Sequence, residues 1–280
     1  MTETATQSRL LRTGTLVLIA VVLLIGGGAL MVWVPYHREQ TVIAEIEKLG
    51  GEIQSEIIRP AWIPGVLDIE YLWVFERVDY IDLSDTQVSN DGLRNLQGLK
   101  NLRTLWLENT QVSDGGLEHL QAMTSLNNLS LYNLRVSDAG LEHLRGLTNL
   151  QWVSLGGTRV SDAGLIHLRR LTKLNNLYLD NTQVTDVGIE RLRGLVQLHC
   201  LSLNNTQVTD AGLEGLKDRT ELTNLDLDYN RVSDAGLKHL RELPNIKSLS
   251  LEYTQVTKAG IERLKETHPN CIIDWIQSAE

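Results

Sequence analysis

The chain has 280 residues, two cysteines and a formal net charge of −9 at pH 7. Nucleic-acid binding is not expected, because it requires a basic footprint on one face of the protein. The hydrophobic fraction of 42% and the charged fraction of 22% agree with a folded, water-soluble body, and the few cysteines leave the cellular compartment open.

The N-terminal region consists of a short tail, residues 1–14, and an uncharged apolar segment, residues 15–34. About 20 apolar residues are enough to cross a hydrocarbon core about 30 Å thick, so this segment is predicted to be a transmembrane anchor. A cleaved signal peptide is the alternative, with Gly27, Gly28 and Ala29 as its small-residue cleavage site. The apolar run continues beyond those residues, which favours an uncleaved anchor.

The basic residues around this segment say little about its orientation in a membrane. Arg9 and Arg12 precede it and Arg38 and Lys48 follow it, so the positive-inside rule gives nearly a tie. A short basic tail ahead of an apolar run is typical of a signal anchor. We therefore expect a single-pass membrane protein whose following residues lie on the non-cytoplasmic side.

Residues 35–77 are predicted to form an N-terminal cap, a half repeat followed by an irregular stretch. Ile43, Ile46 and Leu49 recur at helical spacing, and residues 52–58 can form a strand after that helix. The aromatic residues that follow are expected to complete the cap against the first repeat. Without a cap, an end repeat would expose its core to water.

A 24-residue unit then recurs in eight copies over residues 78–270. The unit reads L-x-x-L-x-L-x-x-T-x-V-S/T-D-x-G-L-x-x-L-x-x-L-x-x, and a period of this length with alternating and then three-spaced leucines indicates a solenoid. Residues 271–280 are expected to close the array with a strand. The first leucine of the unit recurs as Leu102, Leu126, Leu150, Leu174, Leu198, Leu222 and Ile246.

Each repeat is predicted to contain one short strand and one helix, which gives an α/β solenoid with a concave parallel sheet and convex helices. Leu105 and Leu107 point to one face of the strand and Trp106 to the other. Ser113 is a plausible helix N-cap, and Asp114 is favoured by the helix dipole. The recurring glycine of the first helical turn indicates that the helix start packs too close to the strand layer for a Cβ.

These repeats resemble those of leucine-rich repeat proteins, specifically the T-x-V-S/T-D-A-G-L variety of planctomycete-type bacterial proteins that is related to the repeats of F-box substrate receptors. The resemblance covers residues 78–270 and implies a curved protein-interaction scaffold whose partners differ from member to member. The sequence departs from the pattern at Asn230, which replaces the turn threonine, and at Arg219, which replaces the third helical leucine. A looser outer edge is expected at Arg219.

We expect no enzyme activity, no cofactor and no metal site. Phosphate-cradling loops, a G-x-S-x-G elbow and zinc-ligand spacings are missing from the sequence. Cys200 and Cys271 lie too many strands apart for the roughly 7 Å limit between bridged Cα atoms. Packed helices lie about 8–10 Å apart, so a histidine column is better explained as a solvated outer face than as a chelate. The column consists of His119, His143, His167 and His239.

The predicted binding surface is the concave face, where aromatic and acidic side chains occur without Lys or Arg. Tyr and Trp are enriched at interaction hot spots, so we expect a partner that is a basic protein or peptide. The alternative is that aromatic residues simply suit strands and that the acids maintain solubility. The predicted partner-binding residues are Trp106, Glu108, Tyr132, Trp152, Tyr178, Asp180, Asp226, Asp228, Tyr229, Glu252 and Tyr253.

The function predicted from the sequence is therefore that of a membrane-anchored, protein-binding scaffold. Two alternatives remain. An adaptor similar to F-box substrate receptors would need a separate helical docking module, which residues 1–77 do not supply. A structural spacer in the cell envelope would have a concave face without such a concentration of aromatic and acidic side chains.

Overall fold

The computed structural model describes residues 29–61, 72 and 75–276, with side chains from residue 36 onward. The tail 1–14 and most of the predicted anchor 15–34 lie outside the described residues, and the anchor's last residues begin the first helix. Within the described ranges, no helix has both the length and the apolar character of a membrane span.

Helix α1, Ala29–Lys48, covers the N-terminal end of the core. Val42 and Ile46 are buried, whereas Leu49, which was grouped with Ile43 and Ile46 by its spacing, follows the end of the helix and is 41% exposed. The contacting face follows i, i+4 spacing, and the chain leaves the helix at Gly50, which has φ = +80°.

A ten-stranded sheet runs through the molecule in chain order. Its first strand is antiparallel to the second, with Glu52 opposite Asp82 and Ile57 opposite Glu76. The cap thus has the helix and the strand that the sequence predicted, but its strand is antiparallel to its neighbour, unlike the strands of the repeats. The strands are β1 Glu52–Ile57, β2 Glu76–Asp82, β3 Thr104–Trp106, β4 Asn128–Ser130, β5 Trp152–Ser154, β6 Asn176–Tyr178, β7 Cys200–Ser202, β8 Asn224–Asp226, β9 Ser248–Ser250 and β10 Ile272–Asp274.

Strands β2 to β10 pair in parallel, each with the next repeat. Each connection carries a short helix, and several of these helices continue as a 3-10 turn. The helices are α2 Asn90–Arg94, α3 Asp114–Leu117, α4 Asp138–Leu141, α5 Asp162–Leu165, α6 Asp186–Arg191, α7 Asp210–Glu214, α8 Asp234–Leu240 and α9 Lys258–Thr267. The 3-10 turns are Asn95–Gly98, Glu118–Leu120, Glu142–Leu144, Ile166–Arg170 and Leu192–Gly194.

The leucine columns form one continuous core between the sheet and the helices. Arg219 lies in this core with only 3% of its surface exposed, so the predicted loose outer edge is wrong. Its guanidinium donates to the backbone carbonyls of Leu195 (2.9 Å) and Arg193 (3.2 Å) in the preceding repeat. Burial lowers the pKa of Arg219. Asn230 is also buried, and it donates to the carbonyl of Leu203 (2.6 Å), which joins neighbouring backbones as its position in the repeat suggests.

The aspartate column connects successive repeats. Asp138 accepts the backbone N–H of Ser161 at Oδ1 (2.7 Å) and its hydroxyl at Oδ2 (2.6 Å). Ser161 in turn caps its own helix by accepting the N–H of Ala163 (3.3 Å). We call this arrangement the inter-repeat bridge. It recurs from each of Asp114, Asp138, Asp162, Asp186, Asp210 and Asp234 to the Ser or Thr that lies 23 residues later.

The glycine column has a different cause from the one predicted. A Cβ on Gly164 would lie 2.5 Å from Oδ1 of Asp138, so the obstacle is the carboxylate of the preceding repeat and not the strand layer. Ser113 also differs from the prediction, because its side chain makes no capping bond. Its N–H donates to Asn90, which stands in the aspartate position of the first repeat (2.9 Å).

Candidate functional site

The concave face is formed by the first and third residues of each three-residue strand, because the middle residue points into the core. The parallel register places these outward residues in two rows that cross the sheet. One row contains Trp106, Ser130, Ser154 and Tyr178, and the other contains Thr104, Asn128, Trp152 and Asn176. None of the outward residues of β3 to β9 is Lys or Arg.

Three of the predicted aromatic residues meet on this face. The rings of Trp106 and Trp152 pack edge to face with centroids 4.8 Å apart, and Tyr178 lies 5.2 Å from Trp152. The rings have room because Ser130 and Ser154, which are small and buried, occupy the sheet beneath and between them. We call Trp106, Trp152 and Tyr178 the aromatic cluster. Its rings remain partly exposed and form an apolar area on an otherwise polar sheet.

Tyr132 was predicted as a binding residue beside Trp106, Trp152 and Tyr178, but it does not belong to the aromatic cluster. It follows β4 in the turn, and its ring lies beside Gly156, where a Cβ would come within 3.0 Å of Cδ2. Its side chain is 39% exposed. Tyr132 thus offers a separate contact at the edge of the concave face.

The predicted acidic residues also bond the strands beside them. Glu108 accepts the hydroxyl of Ser130 (2.8 Å), and Asp180 accepts the hydroxyl of Ser202. Asp228 accepts the hydroxyl of Ser250 (2.6 Å) and the N–H of Glu252 (2.7 Å). These carboxylates therefore have a structural role that the sequence prediction did not include.

Asp226 is the acid with the least favourable surroundings on this face. Burial raises the pKa of its carboxyl, and the negative charges of Asp180 and Asp228 raise it further. Asp226 makes no ion pair with a basic side chain of the described residues. A positive charge supplied from outside would stabilise this group of carboxylates.

Tyr229 and Tyr253 form a second aromatic site, at the rim of the sheet. They belong to a column of turn residues that have a left-handed backbone, which we call the rim column. Tyr229 has φ = +58° and Tyr253 has φ = +55°. This conformation is uncommon for bulky residues and suits Gly, Asn and Asp. The other members of the column are Asp85, Asn109, Asn133, Gly157, Asn181 and Asn205.

The rim column changes character along the array. In the earlier repeats its amides form ladders, with Asn133 donating to Asn109 (2.6 Å) and Asn205 to Asn181 (2.8 Å). In the last two repeats the rings of Tyr229 and Tyr253 stack with centroids 4.4 Å apart and planes 13° from parallel. They are 56% and 51% exposed. Both residues were predicted as binding residues, but the strained backbone and the stacking were not.

The histidine column is less solvated than predicted. His119 is only 7% exposed, and its Nδ1 lies 3.0 Å from the amide nitrogen of Gln97. His143 makes the same contact with Gln121, at 2.5 Å. No group of three or more His, Cys, Asp or Glu in the part of the chain that the structure describes could hold a metal ion.

Comparisons with known proteins agree with this architecture. A family model described as "Leucine Rich repeat" matches residues 220–240. An internalin C2 from Listeria monocytogenes is 28% identical, with a TM-score of 0.58, and the match covers 71% of this chain and 81% of that protein. A leucine-rich repeat protein from Leptospira interrogans is 21% identical, with a TM-score of 0.51, over 65% of this chain and 50% of that protein. No curated protein matches.

The fold is therefore an α/β leucine-rich repeat solenoid. Proteins of this architecture generally act as protein-binding scaffolds through their extended concave surfaces. The relation to planctomycete-type proteins and F-box receptors stays a prediction from the sequence.

Proposed function

We propose that this protein is a membrane-anchored scaffold that binds a basic protein segment on its concave face. The observation that carries the proposal is the combination of a partly exposed aromatic cluster with a group of carboxylates that has no basic counterpart among the described residues. Aromatic residues provide contact area at interfaces, and complementary charge guides encounter and register.

The two aromatic sites lie at different positions along the concave face. The aromatic cluster lies on β3, β5 and β6, and the stacked pair of Tyr229 and Tyr253 lies at the rim after β8 and β9. Asp180, Asp226 and Asp228 lie in the repeats between and beside them. An extended segment that crosses the sheet would meet aromatic contacts at both ends of its path and acidic residues along it. Lysine or arginine on that segment would relieve the repulsion that raises the pKa of Asp226.

The membrane anchor rests on the sequence of residues 15–34, which contains no charged residue. Helix α1 starts at Ala29, inside that segment, and continues without a break into the buried cap residues Val42 and Ile46. This continuity supports an array held close to the membrane surface, and we place the repeats on the non-cytoplasmic side. Carbonate extraction of membranes from cells that make the full chain provides the test. Recovery of a mature N-terminus near Leu30 would instead identify a cleaved signal peptide.

The binding proposal is tested by affinity capture with the full chain in a neutral detergent, followed by titration of the captured partner. One variant carries Trp106→Ala and Trp152→Ala, and a second carries Asp226→Asn and Asp228→Asn. The first should weaken binding by about 2 kcal/mol or more, as truncated hot spots do. The second should mainly slow association and reduce the salt dependence of binding.

A matched control is Val196→Ala, which changes an exposed residue outside the strands of the sheet. This variant should bind like the wild type. If both test variants bind like the wild type, or if the partner docks on the helices, the concave site is refuted. The spacer function would be favoured if the wild type captures no partner that is lost from the tryptophan variant.

A further inference from the structure

Two neighbouring clefts on the convex side are built from the same positions of successive repeats. They have similar volumes, about 270 Å³ and about 300 Å³. We call the first the neutral cleft and the second the basic cleft. The neutral cleft is lined by Gln121, Glu142, His143, Arg145 and Gly146. The basic cleft is lined by the residues 24 positions later, Arg145, Ile166, His167, Arg169 and Arg170.

The side chains that line the two clefts differ in charge. In the neutral cleft, Glu142 and Arg145 form an ion pair with 3.2 Å between Oε1 and Nη1. In the basic cleft, Ile166 takes the position of that glutamate, and Arg170 takes the position of a glycine. Three guanidinium groups and no carboxylate therefore line the basic cleft. The difference arises in a chain whose overall charge is negative.

Two of the three arginines have no side-chain partner among the residues that the structure describes. Arg145 is shared between the clefts and is held by Glu142. The side chains of Arg169 and Arg170 are exposed, and neither makes a hydrogen bond or an ion pair with the described residues. Their donors are available to a ligand, and a guanidinium presents five N–H groups in a planar fork that matches an oxyanion.

His167 adds a fourth polar group to the basic cleft. In the neutral cleft, His143 is occupied by the amide of Gln121, at 2.5 Å. The corresponding partner of His167 is Arg145, which can only donate hydrogen bonds, and no side-chain bond joins them. Within the described parts of the chain the ring nitrogens of His167 have no hydrogen-bond partner, so they can bind a ligand in the cleft.

The other repeats show that the loss of the glutamate is local. One repeat after Arg169 and Ile166, the same two positions hold Arg193 and Glu190, which form an ion pair at 2.6 Å. Two repeats after them, the positions hold Lys217 and Glu214, which pair at 4.0 Å. Lys238 also replaces the glutamate, but Arg241 in that repeat pairs with Glu266 (3.6 Å). Among the arginines of this column, Arg145, Arg193 and Arg241 each pair with a carboxylate, whereas Arg169 makes no ion pair with the described residues.

We propose that the basic cleft is a binding site for a phosphate monoester. A dianionic phosphoryl group can accept bonds from Arg145, Arg169 and Arg170 together, and charge-assisted bonds of this kind are the strong ones. Ile166, which is 43% exposed, supplies an apolar wall for the carbon adjoining the ester oxygen. The volume is at the lower end of the range for small-molecule pockets, so the ligand is a compact one. Such a group can come from a small soluble metabolite or from a monoester lipid headgroup.

The test is isothermal titration calorimetry of the full chain in a neutral detergent at low salt. The probes are inorganic phosphate, glycerol 3-phosphate and a short-chain phosphatidic acid, and short-chain phosphatidylcholine serves as the negative probe. If glycerol 3-phosphate and the phosphatidic acid bind with similar affinity, a small soluble phosphate ester is sufficient as the ligand. A preference of about tenfold or more for the phosphatidic acid identifies the lipid headgroup as the source.

Three variants decide whether the cleft is responsible. Ile166→Glu restores the glutamate of the neighbouring repeats at an exposed position, and Arg169→Gln removes one unpaired guanidinium. Each should weaken phosphate binding about tenfold or more while thermal unfolding stays close to that of the wild type. The matched control is Arg193→Gln, in the same column but paired with Glu190, which should change the affinity less than about twofold. The proposal is overturned if no phosphate probe binds, or if Ile166→Glu and Arg169→Gln bind like the wild type.

Discussion

The inter-repeat bridge and the rim column both run along the whole solenoid, but they vary in different ways. The bridge keeps the same chemistry from Asp114 to Asp234, always with a Ser or Thr as its partner. The rim column keeps polar or small residues through Asn205 and then changes to Tyr229 and Tyr253. The comparison teaches that a column held constant reflects packing between repeats, whereas a change against the local backbone preference points to a use outside folding.

The energetic terms support this distinction. A bridge carboxylate satisfies a backbone N–H and a hydroxyl, and the glycine of the next repeat leaves room for it. A left-handed backbone costs a side chain other than Gly about 1–2 kcal/mol, less for Asn and Asp. Ring stacking returns about 0.5–1.5 kcal/mol. The tyrosine pair is therefore less favourable for folding than the asparagines it replaces, while it exposes two aromatic rings.

The largest expected effect lies in the core between the two columns and sets the scale for the others. Leu179→Ala, at a fully buried position, should lower the free energy of unfolding by about 2–5 kcal/mol through lost burial and a cavity. Val196→Ala, at a residue 56% exposed, should change it by less than about 0.5 kcal/mol. Equal costs in chemical denaturation would contradict the assigned faces.

Breaking one bridge should have the next largest effect. Asp186→Ala removes the acceptor for the N–H (2.7 Å) and the hydroxyl (2.6 Å) of Thr209, and should cost about 1–3 kcal/mol in chemical denaturation. The matched change in the rim column is Asn205→Gly, which removes an exposed amide and keeps the left-handed backbone. It should cost less than about 0.5 kcal/mol. A larger loss from Asn205→Gly than from Asp186→Ala would reverse the proposed roles of the two columns.

Restoring the rim column should increase stability and reduce binding. The double variant Tyr229→Asn and Tyr253→Asn relieves the backbone strain and loses the stacking, so the free energy of unfolding should rise by about 1 kcal/mol. Binding of the captured partner should weaken in the same protein, as expected where a strained site serves function. Thermal unfolding and partner titration measure the two effects. A loss of stability would show that the tyrosines are there for folding.

The smallest effect concerns pH. Burial and the nearby Asp180 and Asp228 raise the pKa of Asp226 in the folded protein. A raised carboxyl pKa means that the folded state binds more protons, so the destabilisation grows as pH rises above the unfolded pKa and is complete above the folded one. Asp226→Asn should therefore be slightly more stable than the wild type at neutral pH, and the difference should vanish near pH 3. Denaturation midpoints across about pH 3 to 7 provide the measurement. A difference that grows as the pH falls would contradict the assigned cause.

The sequence predicted the features that periodicity encodes directly. Strand and helix positions and the outward direction of Trp106 and Trp152 follow from the spacing of leucines. The bridge from Asp138 to Ser161 was not predicted, because a contact between repeats depends on how they stack and not on the pattern within one. Arg219 was misjudged for a related reason, since its hydrogen-bond partners are carbonyls of another repeat.

The predicted site was only partly correct for similar physical reasons. Tyr132 falls outside the aromatic cluster because the turn after β4 directs its ring towards Gly156. The strain at Tyr229 and Tyr253 could have been found by aligning the repeats, since asparagine fills that position in most of the others. The basic cleft was not predicted, because it depends on the simultaneous replacement of residues from two adjacent repeats.

The inter-repeat bridge also makes the repeats exchangeable. Since each aspartate contacts a Ser or Thr 23 residues later, removal of one whole unit would let Asp186 meet Ser233 in place of Thr209. Such a deletion would move the tyrosine pair one strand, about 4.8 Å, closer to the aromatic cluster. The number of repeats between the two aromatic sites thus sets the distance between them. A lineage could adjust the length of the segment it recognises by gaining or losing units, without redesigning either site.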